Sequence, residues 1–127
     1  MKIDLIVRGI CCLIPGRKYS RNIRVTRIVD TFLEHARVWY FGNGGKPKLF
    51  LGSPDWMRRN LYRRIEAVTP ILDPDLKREL SDMLSIQLSD KRKACFVDDH
   101  LRNRWKSARP QKEKIRSQYT FYEYLKG

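Results

Sequence analysis

The sequence has few cysteines, few histidines and no long apolar run. Its three cysteines are a vicinal pair, Cys11 and Cys12, and a distant Cys95. This arrangement fits neither a disulfide framework nor the ligand spacing of a zinc site, so it indicates a reducing compartment. The first residues carry charges throughout and lack the apolar core of a signal peptide. No apolar stretch approaches the roughly 18 residues of a membrane span, so we expect a cytoplasmic protein, free or peripheral to a membrane.

Acidic residues are also too few to balance the basic ones. Asp and Glu number 14 against 27 Lys and Arg, which gives a formal net charge of +13. Such an excess predicts a polyanionic partner: nucleic acid, an anionic membrane surface or an inorganic phosphate chain, since each releases counterions to basic side chains. Charge alone does not choose among them. With 127 residues, 42% of them hydrophobic, the chain is long enough for one core, and we expect a single domain over residues 1–127.

His35 is the candidate for proton chemistry. It closes an apolar stretch and leads into 36–41, a run of aromatic and β-branched residues that predicts a buried strand. On a strand, His35 and Arg37 would project from the same face. An imidazole exchanges protons near pH 7, and a guanidinium binds phosphoryl oxygens in a fixed fork. The alternative is a structural histidine at the entrance to a strand.

The first half of the chain predicts strands and turns. Arg8 stands at the carboxyl end of the first strand, where α/β sheets bind ligands. Residues 11–20 predict a loop with basic tips, and Gly42–Gly45 predicts the reversal of a β-hairpin. The strands expected here are 3–7, 22–29, 36–41 and 48–51.

The second half begins with Ser53-Pro54-Asp55, which predicts a helix N-cap and a short turn through Trp56 and Met57. Alternation over 60–68 predicts a strand with Arg64 on its polar face. Asp73 and Pro74 predict the start of a long helix. The apolar residues at helical spacing in it, which we expect in the core, are Leu76, Leu80, Met83, Leu84 and Leu88.

The remaining segments are shorter. Residues 94–97 predict one more strand, and an irregular basic stretch extends from there to Pro110. An amphipathic helix is expected from Gln111 to the end of the chain. Its apolar positions are Ile115, Tyr119, Tyr122 and Leu125.

Six sequence blocks, in one order, resemble the C-terminal catalytic domain of polyphosphate kinase. The blocks are Leu5–Gly9, Leu13–Gly16, Asn22–Arg24, Phe32–His35, Asn43–Gly45 and Asp55–Arg64. The similarity continues through Pro70–Leu76 to the final helix and covers nearly the whole chain. Enzymes of this family move the terminal phosphate of ATP onto inorganic polyphosphate. The resemblance implies an α/β fold, a mixed β-sheet with flanking helices that is similar to one half of a phospholipase D-like domain.

The resemblance also implies site residues. Arg8, His35 and Arg64 would line the ATP and polyphosphate site, with His35 as an auxiliary acid or base that is not itself phosphorylated. Arg37 joins them because His35-Ala36-Arg37 keeps the spacing of the His-x-Lys motif of phospholipase D enzymes, with lysine replaced. We expect His100 to be an ordinary surface residue.

The chain departs from the family in two ways. The loop after Gly16 is one residue shorter and offers Arg17 and Lys18 in place of a second glycine. The phosphorylated histidine and the Mg²⁺-binding residues of the family belong to upstream N-terminal domains that are absent from this chain, so the chain by itself is expected to be inactive. Its partners would be ATP, ADP, polyphosphate and those domains. The family forms homo-oligomers, which leaves monomer and oligomer both open here.

Two other functions are weighed against this one. A basic nucleic-acid-binding module would use the cluster Arg102, Arg104, Trp105 and Lys106. No helix-turn-helix, RNA-recognition or zinc signature accompanies that cluster, so nucleic acid is not the expected partner. The third candidate is a phospholipase D-like nuclease, in which two such halves share a site.

Overall fold

The computed structural model describes residues 1–107 and 115–127, which form seven strands and three helices. The strands are β1 (Ile3–Ile6), β2 (Ile23–Ile28), β3 (Val38–Phe41), β4 (Lys48–Gly52), β5 (Val68–Ile71), β6 (Ala94–Val97) and β7 (Asn103–Trp105). The helices are α1 (Arg58–Arg63), α2 (Pro74–Ser89) and α3 (Ser117–Lys126). The predicted α/β class with a mixed sheet and flanking helices is confirmed.

The chain divides into two compact units. The first contains residues 1–32 and 83–127, and the second contains residues 33–82. That residues 1–127 fold as a single domain stays a prediction.

The first unit has a four-stranded mixed sheet in the order β1-β2-β6-β7. β1 and β2 are parallel, with Ile3 opposite Ile23, and the other two pairs are antiparallel. β-Branched residues suit extended backbone and pack well on a sheet face. Val25 and Ile28 of β2 and Val97 of β6 are buried, so the two central strands carry the core of this unit.

A buried carboxylate joins two elements of the first unit. Asp90 is 0% exposed, and its Oδ1 accepts backbone N–H bonds from Arg92, Lys93 and Ala94 at 2.8, 2.7 and 3.1 Å. Its Oδ2 accepts the N–H of Ser117 at 2.7 Å. Buried charges are tolerated when they are fully hydrogen-bonded. Asp90 therefore fixes the turn before β6 against the first residue of α3.

An ion pair fastens the segment before α3. Arg116 donates to both carboxylate oxygens of Asp30, at 2.8 and 2.6 Å, and Asp30 is nearly inaccessible to solvent. The same guanidinium lies 4.2 Å from the centre of the Tyr119 ring. The hydrogen bonds from Arg116 lower the pKa of Asp30. This bidentate pair anchors the end of the chain to the residues that follow β2.

The second unit has an antiparallel sheet in the order β3-β4-β5. The predicted hairpin is confirmed, since β3 pairs with β4 across a turn that includes a 3-10 helix at Asn43–Gly45. Gly44 and Gly45 have φ of 62° and 88°, left-handed values at which other residues are strained. Gly52 is required for another reason, because a Cβ there would lie 2.7 Å from the Trp39 ring.

The strand predicted over 60–68 is wrong. Its first part is the short helix α1, whose first turn is closed by N–H bonds from Asn60 and Leu61 to the carbonyl of Met57, at 2.9 and 3.0 Å. Met57 also occupies the N-cap position that was predicted for Ser53. A six-residue helix is too short to establish its own period in the sequence, so the alternation around it was misleading.

The placement of His35 and Arg37 on a strand is also wrong. β3 begins at Val38, and both residues lie in the irregular segment before it. The reason is the partner strand: β4 ends at Gly52, whose N–H donates to the carbonyl of Arg37 at 3.1 Å. Before Arg37, no backbone of the described residues continues the ladder.

The helix predicted from Asp73 and Pro74 is confirmed as α2. Asp73 accepts the N–H groups of Asp75 and Leu76 through Oδ1, at 2.8 and 3.0 Å, and so caps it. The prediction that the apolar residues of α2 are core is wrong, because none is fully buried and Leu76 is 51% exposed. Periodicity shows that a helix has an apolar face, and it does not show what covers that face.

The end of the chain was predicted in part. β6 is confirmed, but β7 was missed inside the stretch that was expected to be irregular. Gln111, the predicted start of the last helix, lies outside the described residues. α3 begins at Ser117, so Ile115 precedes it, whereas the tyrosines predicted for its apolar face lie on it.

Candidate functional site

Three strand ends meet at one edge of the second unit. β4 ends at Gly52, which pairs with Val68, the first residue of β5, and β3 begins beside the same end of β4 at Val38. His35 lies just before β3 and Arg64 just before β5. The topology of the sheet therefore brings the segments that carry His35 and Arg64 to the same edge.

The His35 segment is held by an ion pair. Arg37 lies 3.0 Å through Nε and 2.9 Å through Nη2 from Oδ1 of Asp55. Its Nη1 donates to the backbone carbonyl of His35 at 2.9 Å. Within residues 1–107 and 115–127, the imidazole of His35 has no hydrogen bond, and the residue is exposed. Arg37 thus fixes the backbone at His35 and leaves the ring free to reach a ligand.

The Arg64 segment is held by a polar network. Arg64 ends α1 in an extended conformation, φ −130° and ψ 153°, and is exposed. Two residues further on, the Glu66 carboxylate accepts hydrogen bonds from the hydroxyl of Ser53 and from Nδ2 of Asn60, the latter at 2.7 Å. These bonds lower the pKa of Glu66. Ser53 also accepts the N–H of Ala67 at 3.1 Å, so the backbone that follows Arg64 is fixed.

Both networks share one short segment. Asp55 holds Arg37, while Ser53 holds the residues that follow Arg64. In the sequence, Ser53 and Asp55 are marked by the predicted helix cap, and Asp55 and Asn60 lie in the block Asp55–Arg64 that resembles the family, but no pattern assigns these residues or Glu66 a place in the site. Their contacts span up to 18 positions of the sequence, so periodicity and turn rules do not reach them. We regard them as positioning residues for the two exposed side chains.

Arg8 lies in the first unit, after the carboxyl end of β1. The parallel ladder continues past β1, since Val7 donates its N–H to the carbonyl of Thr26 at 2.9 Å. Arg27 of β2 donates from Nη2 to the carbonyl of Gly9 at 3.3 Å and therefore supports the residue after Arg8. Arg8 is half-buried and, in the described part of the chain, has no carboxylate partner. The sequence did not single out Arg27.

The loop after Gly16 is held by hydrogen bonds to a buried serine. Ser20 is 0% exposed, donates to the carbonyl of Ile14 at 2.6 Å and accepts the N–H of Arg17 at 3.1 Å. Arg17 and Lys18 are exposed at its tip. The shortened loop is therefore a tight turn that presents two basic side chains.

The predicted nucleic-acid cluster is largely engaged in internal contacts. Arg102 and Arg104 both donate from Nε to Oδ2 of Asp98, at 3.1 and 2.8 Å. Lys106 donates from Nζ to a carbonyl near the end of α2 at 2.9 Å, and burial lowers its pKa. Trp105 is 63% exposed. The three cations of the cluster thus have partners within the fold. His100 is exposed, as predicted.

Residues 1–107 and 115–127 lack two further features. No three or more His, Cys, Asp and Glu side chains are grouped so that they could hold a metal ion. No helix there combines the length and the apolar character that crossing a membrane requires.

Comparison with known proteins decides the family. The family model for "Polyphosphate kinase C-terminal domain 2" matches residues 1–118. The chain belongs to this family. The recognition made from the sequence blocks is therefore confirmed, while the roles of Arg8, His35, Arg37 and Arg64 are not tested by the match.

Individual polyphosphate kinases support the assignment. The chain is 47% identical over 126 residues to the polyphosphate kinase of Escherichia coli K12, covering 98% of this chain and 18% of that protein. It is 56% identical over 95 residues to the polyphosphate kinase of Synechocystis, covering 74% of this chain and 13% of that protein. The crystal structure of polyphosphate kinase from Porphyromonas gingivalis matches with a TM-score of 0.93 and 57% identity, over 99% of this chain and 19% of that one. The chain thus spans less than a fifth of the length of these polyphosphate kinases.

Proposed function

We propose that this chain supplies part of the phosphate-binding site of a polyphosphate kinase, an enzyme that transfers the terminal phosphate of ATP reversibly to inorganic polyphosphate. The observation that carries the proposal is the sheet edge of the second unit. There His35 and Arg64 are exposed, while the neighbouring side chains are tied into internal networks. Fixed backbone beside free charged side chains is what a preorganised anion site needs. Membership of the polyphosphate kinase family and the net charge of +13 support the same substrates.

Each residue has a distinct proposed role. Phosphoryl transfer depends mainly on positioning and on neutralising charge, so Arg8 and Arg64 would bind phosphoryl oxygens through their guanidinium groups. His35 would donate or accept a proton as the oxygen of one phosphate replaces that of another. Arg37, which the resemblance places among the phosphate ligands, has its guanidinium bonded to Asp55 and to the His35 carbonyl. Its proposed role is therefore to position His35.

The complete reaction requires more than this chain. ATP chemistry uses Mg²⁺, which shields the phosphates, and the described residues offer no cluster of acidic or histidine ligands for it. We propose that upstream domains supply the metal site and the phosphorylated residue, so that the chain alone binds ATP and polyphosphate but turns over little. A cytoplasmic location and homo-oligomer formation belong to the same proposal.

The test of the proposed function is competition between ligands. Polyphosphate added to the chain should displace a fluorescent ATP analogue completely, because both ligands use the same guanidinium groups. The apparent affinity of polyphosphate should fall steeply with salt, by analogy with counterion release from nucleic acids.

Duplex DNA at the same concentration of phosphate is the control. The proposal requires DNA to bind much more weakly than polyphosphate at every salt concentration. If DNA binds as tightly as polyphosphate, the protein is a nucleic-acid-binding module and the proposed function is wrong.

A further inference from the structure

Helix α1 carries a set of cations that the proposed site does not use. Arg58, Arg59 and Arg63 are exposed and line an open hollow of about 280 Å³ within the second unit. In the described part of the chain, none of the three has a carboxylate within 4.0 Å. We call these three residues the α1 arginine ridge.

The ridge does not stabilise α1. Arg59 and Arg63 are one turn apart, and like charges at this spacing cost a helix about 0.2–0.5 kcal/mol. The helix has no acidic residue in its first turn and no side-chain cap that would offset the charge. Three unpaired guanidinium groups on six residues therefore call for a ligand outside the helix.

The chemistry of the ridge selects an extended phosphate ligand. Guanidinium groups bind phosphate oxygens in a bidentate fork, which a lysine does not reproduce. Arg59 and Arg63 lie about 6 Å apart along the helix axis, a spacing that successive phosphates of a chain can follow. The ridge ends directly at Arg64, which follows α1 in the sequence. A chain held at Arg64 could therefore continue along α1.

We propose that the α1 arginine ridge binds polyphosphate beyond the phosphates that Arg64 contacts. The inference rests on the proposed function and adds to it a basis for chain-length preference. ATP and tripolyphosphate are too short to use the ridge fully, whereas a long chain gains contacts from it. Trp56, which precedes the ridge, and Tyr62, which lies within it, have exposed rings, 77% and 79% accessible, and make single-stranded nucleic acid the competing ligand.

The experiment compares two triple variants of the 127-residue chain with the same loss of charge. One removes the ridge (Arg58→Gln, Arg59→Gln and Arg63→Gln), and the other removes three exposed cations of the first unit (Lys2→Gln, Arg21→Gln and Lys91→Gln). The ligands are ATP, tripolyphosphate, polyphosphate of about 60 phosphates and a single-stranded DNA, each measured by calorimetry at two salt concentrations. Circular dichroism checks that each variant is folded.

The ridge variant should bind long polyphosphate at least about 10-fold more weakly and with a shallower salt dependence, since three phosphate contacts are lost. Its affinities for ATP and tripolyphosphate should stay within about twofold of the parent chain. The control variant should bind ATP, tripolyphosphate and long polyphosphate nearly as the parent does. A variant with lysine at all three ridge positions keeps the charge and loses the bidentate guanidinium geometry, so its loss of affinity for long polyphosphate should be intermediate. It replaces the Gln variant in the comparison if the Gln variant fails to fold.

Three results would overturn the inference. If both triple variants lose the same affinity for long polyphosphate, the effect is one of bulk charge. If the ridge variant loses as much affinity for ATP as for polyphosphate, the ridge belongs to the nucleotide site. A single-stranded DNA that loses affinity as strongly as polyphosphate would identify a nucleic-acid surface. If the parent chain binds neither ATP nor polyphosphate, the proposed function itself fails. If the parent chain binds both and the ridge variant behaves like the control variant, only the inference about the ridge fails.

Discussion

Replacing His35 by glutamine, in a polyphosphate kinase of family length that contains this chain, is expected to reduce phosphoryl transfer at least about 100-fold. Glutamine keeps the size and polarity of the side chain but cannot exchange a proton near neutral pH. Binding of ATP should change little, because the guanidinium groups remain. Initial rates in both directions of transfer, measured at saturating ATP or ADP, give the result.

The alternative, a structural histidine, makes the opposite prediction. His35 is exposed and its ring has no hydrogen bond in the part of the chain that the structure describes, so His35→Gln should change the free energy of unfolding by less than about 0.5 kcal/mol. The proton-transfer role would be contradicted by a variant that keeps more than about half of its activity. A large loss of stability with a proportionate loss of activity would support the structural role.

Replacing Asp90 by alanine is expected to destabilise the chain by about 3 kcal/mol or more. The carboxylate is fully buried and accepts four backbone N–H bonds, and removing a charged acceptor leaves buried donors unsatisfied. Asp90→Asn should lower the free energy of unfolding by less, about 1–2 kcal/mol, because the amide oxygen of asparagine still accepts the N–H bonds on one side of the side chain. Urea unfolding followed by circular dichroism gives the free energies.

Asp99→Ala is the matched control for Asp90. Asp99 is exposed, and its one ion pair is a 3.8 Å contact with His100, so the variant should unfold within about 0.5 kcal/mol of the parent. In Asp90→Asn, amide exchange at Ser117 should be faster than in the parent, since that N–H loses its acceptor. Unchanged stability of Asp90→Ala would mean that water replaces the carboxylate and that the link between β6 and α3 is weak.

Local signals in the sequence predicted the parts of the fold that local interactions build. Gly44 and Gly45 helped to identify the hairpin because the reversal has positive φ at both positions, and Asp73 identified the start of α2 because its side chain caps the helix. Helix α1 was missed because six residues are too few to establish a helical period, and because Asn60 within it bonds to Glu66 outside the helix. Tertiary contacts of this kind leave no periodic trace.

The candidate site divides in the same way. Arg8, His35 and Arg64 were identified from motifs, and the structure places His35 and Arg64 at one sheet edge although the predicted strands around them were partly wrong. The partners that orient them were not predictable: Asp55 meets Arg37 only because β3 and β4 are paired. Conversely, the basic cluster around Trp105 looked available in the sequence, and in the structure Asp98 accepts hydrogen bonds from two of its cations.

The central claim, that this chain binds ATP through specific arginines, is tested most directly by calorimetric titration of ATP into Arg8→Ala, Arg64→Ala and Arg21→Ala variants. Arg21 is the matched control, because it is exposed and precedes β2, at the end of the parallel β1–β2 pair opposite to Arg8. Arg8→Ala and Arg64→Ala should each weaken binding by about 1–3 kcal/mol, since a charged hydrogen bond to phosphate is lost, and Arg21→Ala should leave it unchanged. Equal losses in all three variants would mean that ATP is held by net charge alone and would contradict the proposed site.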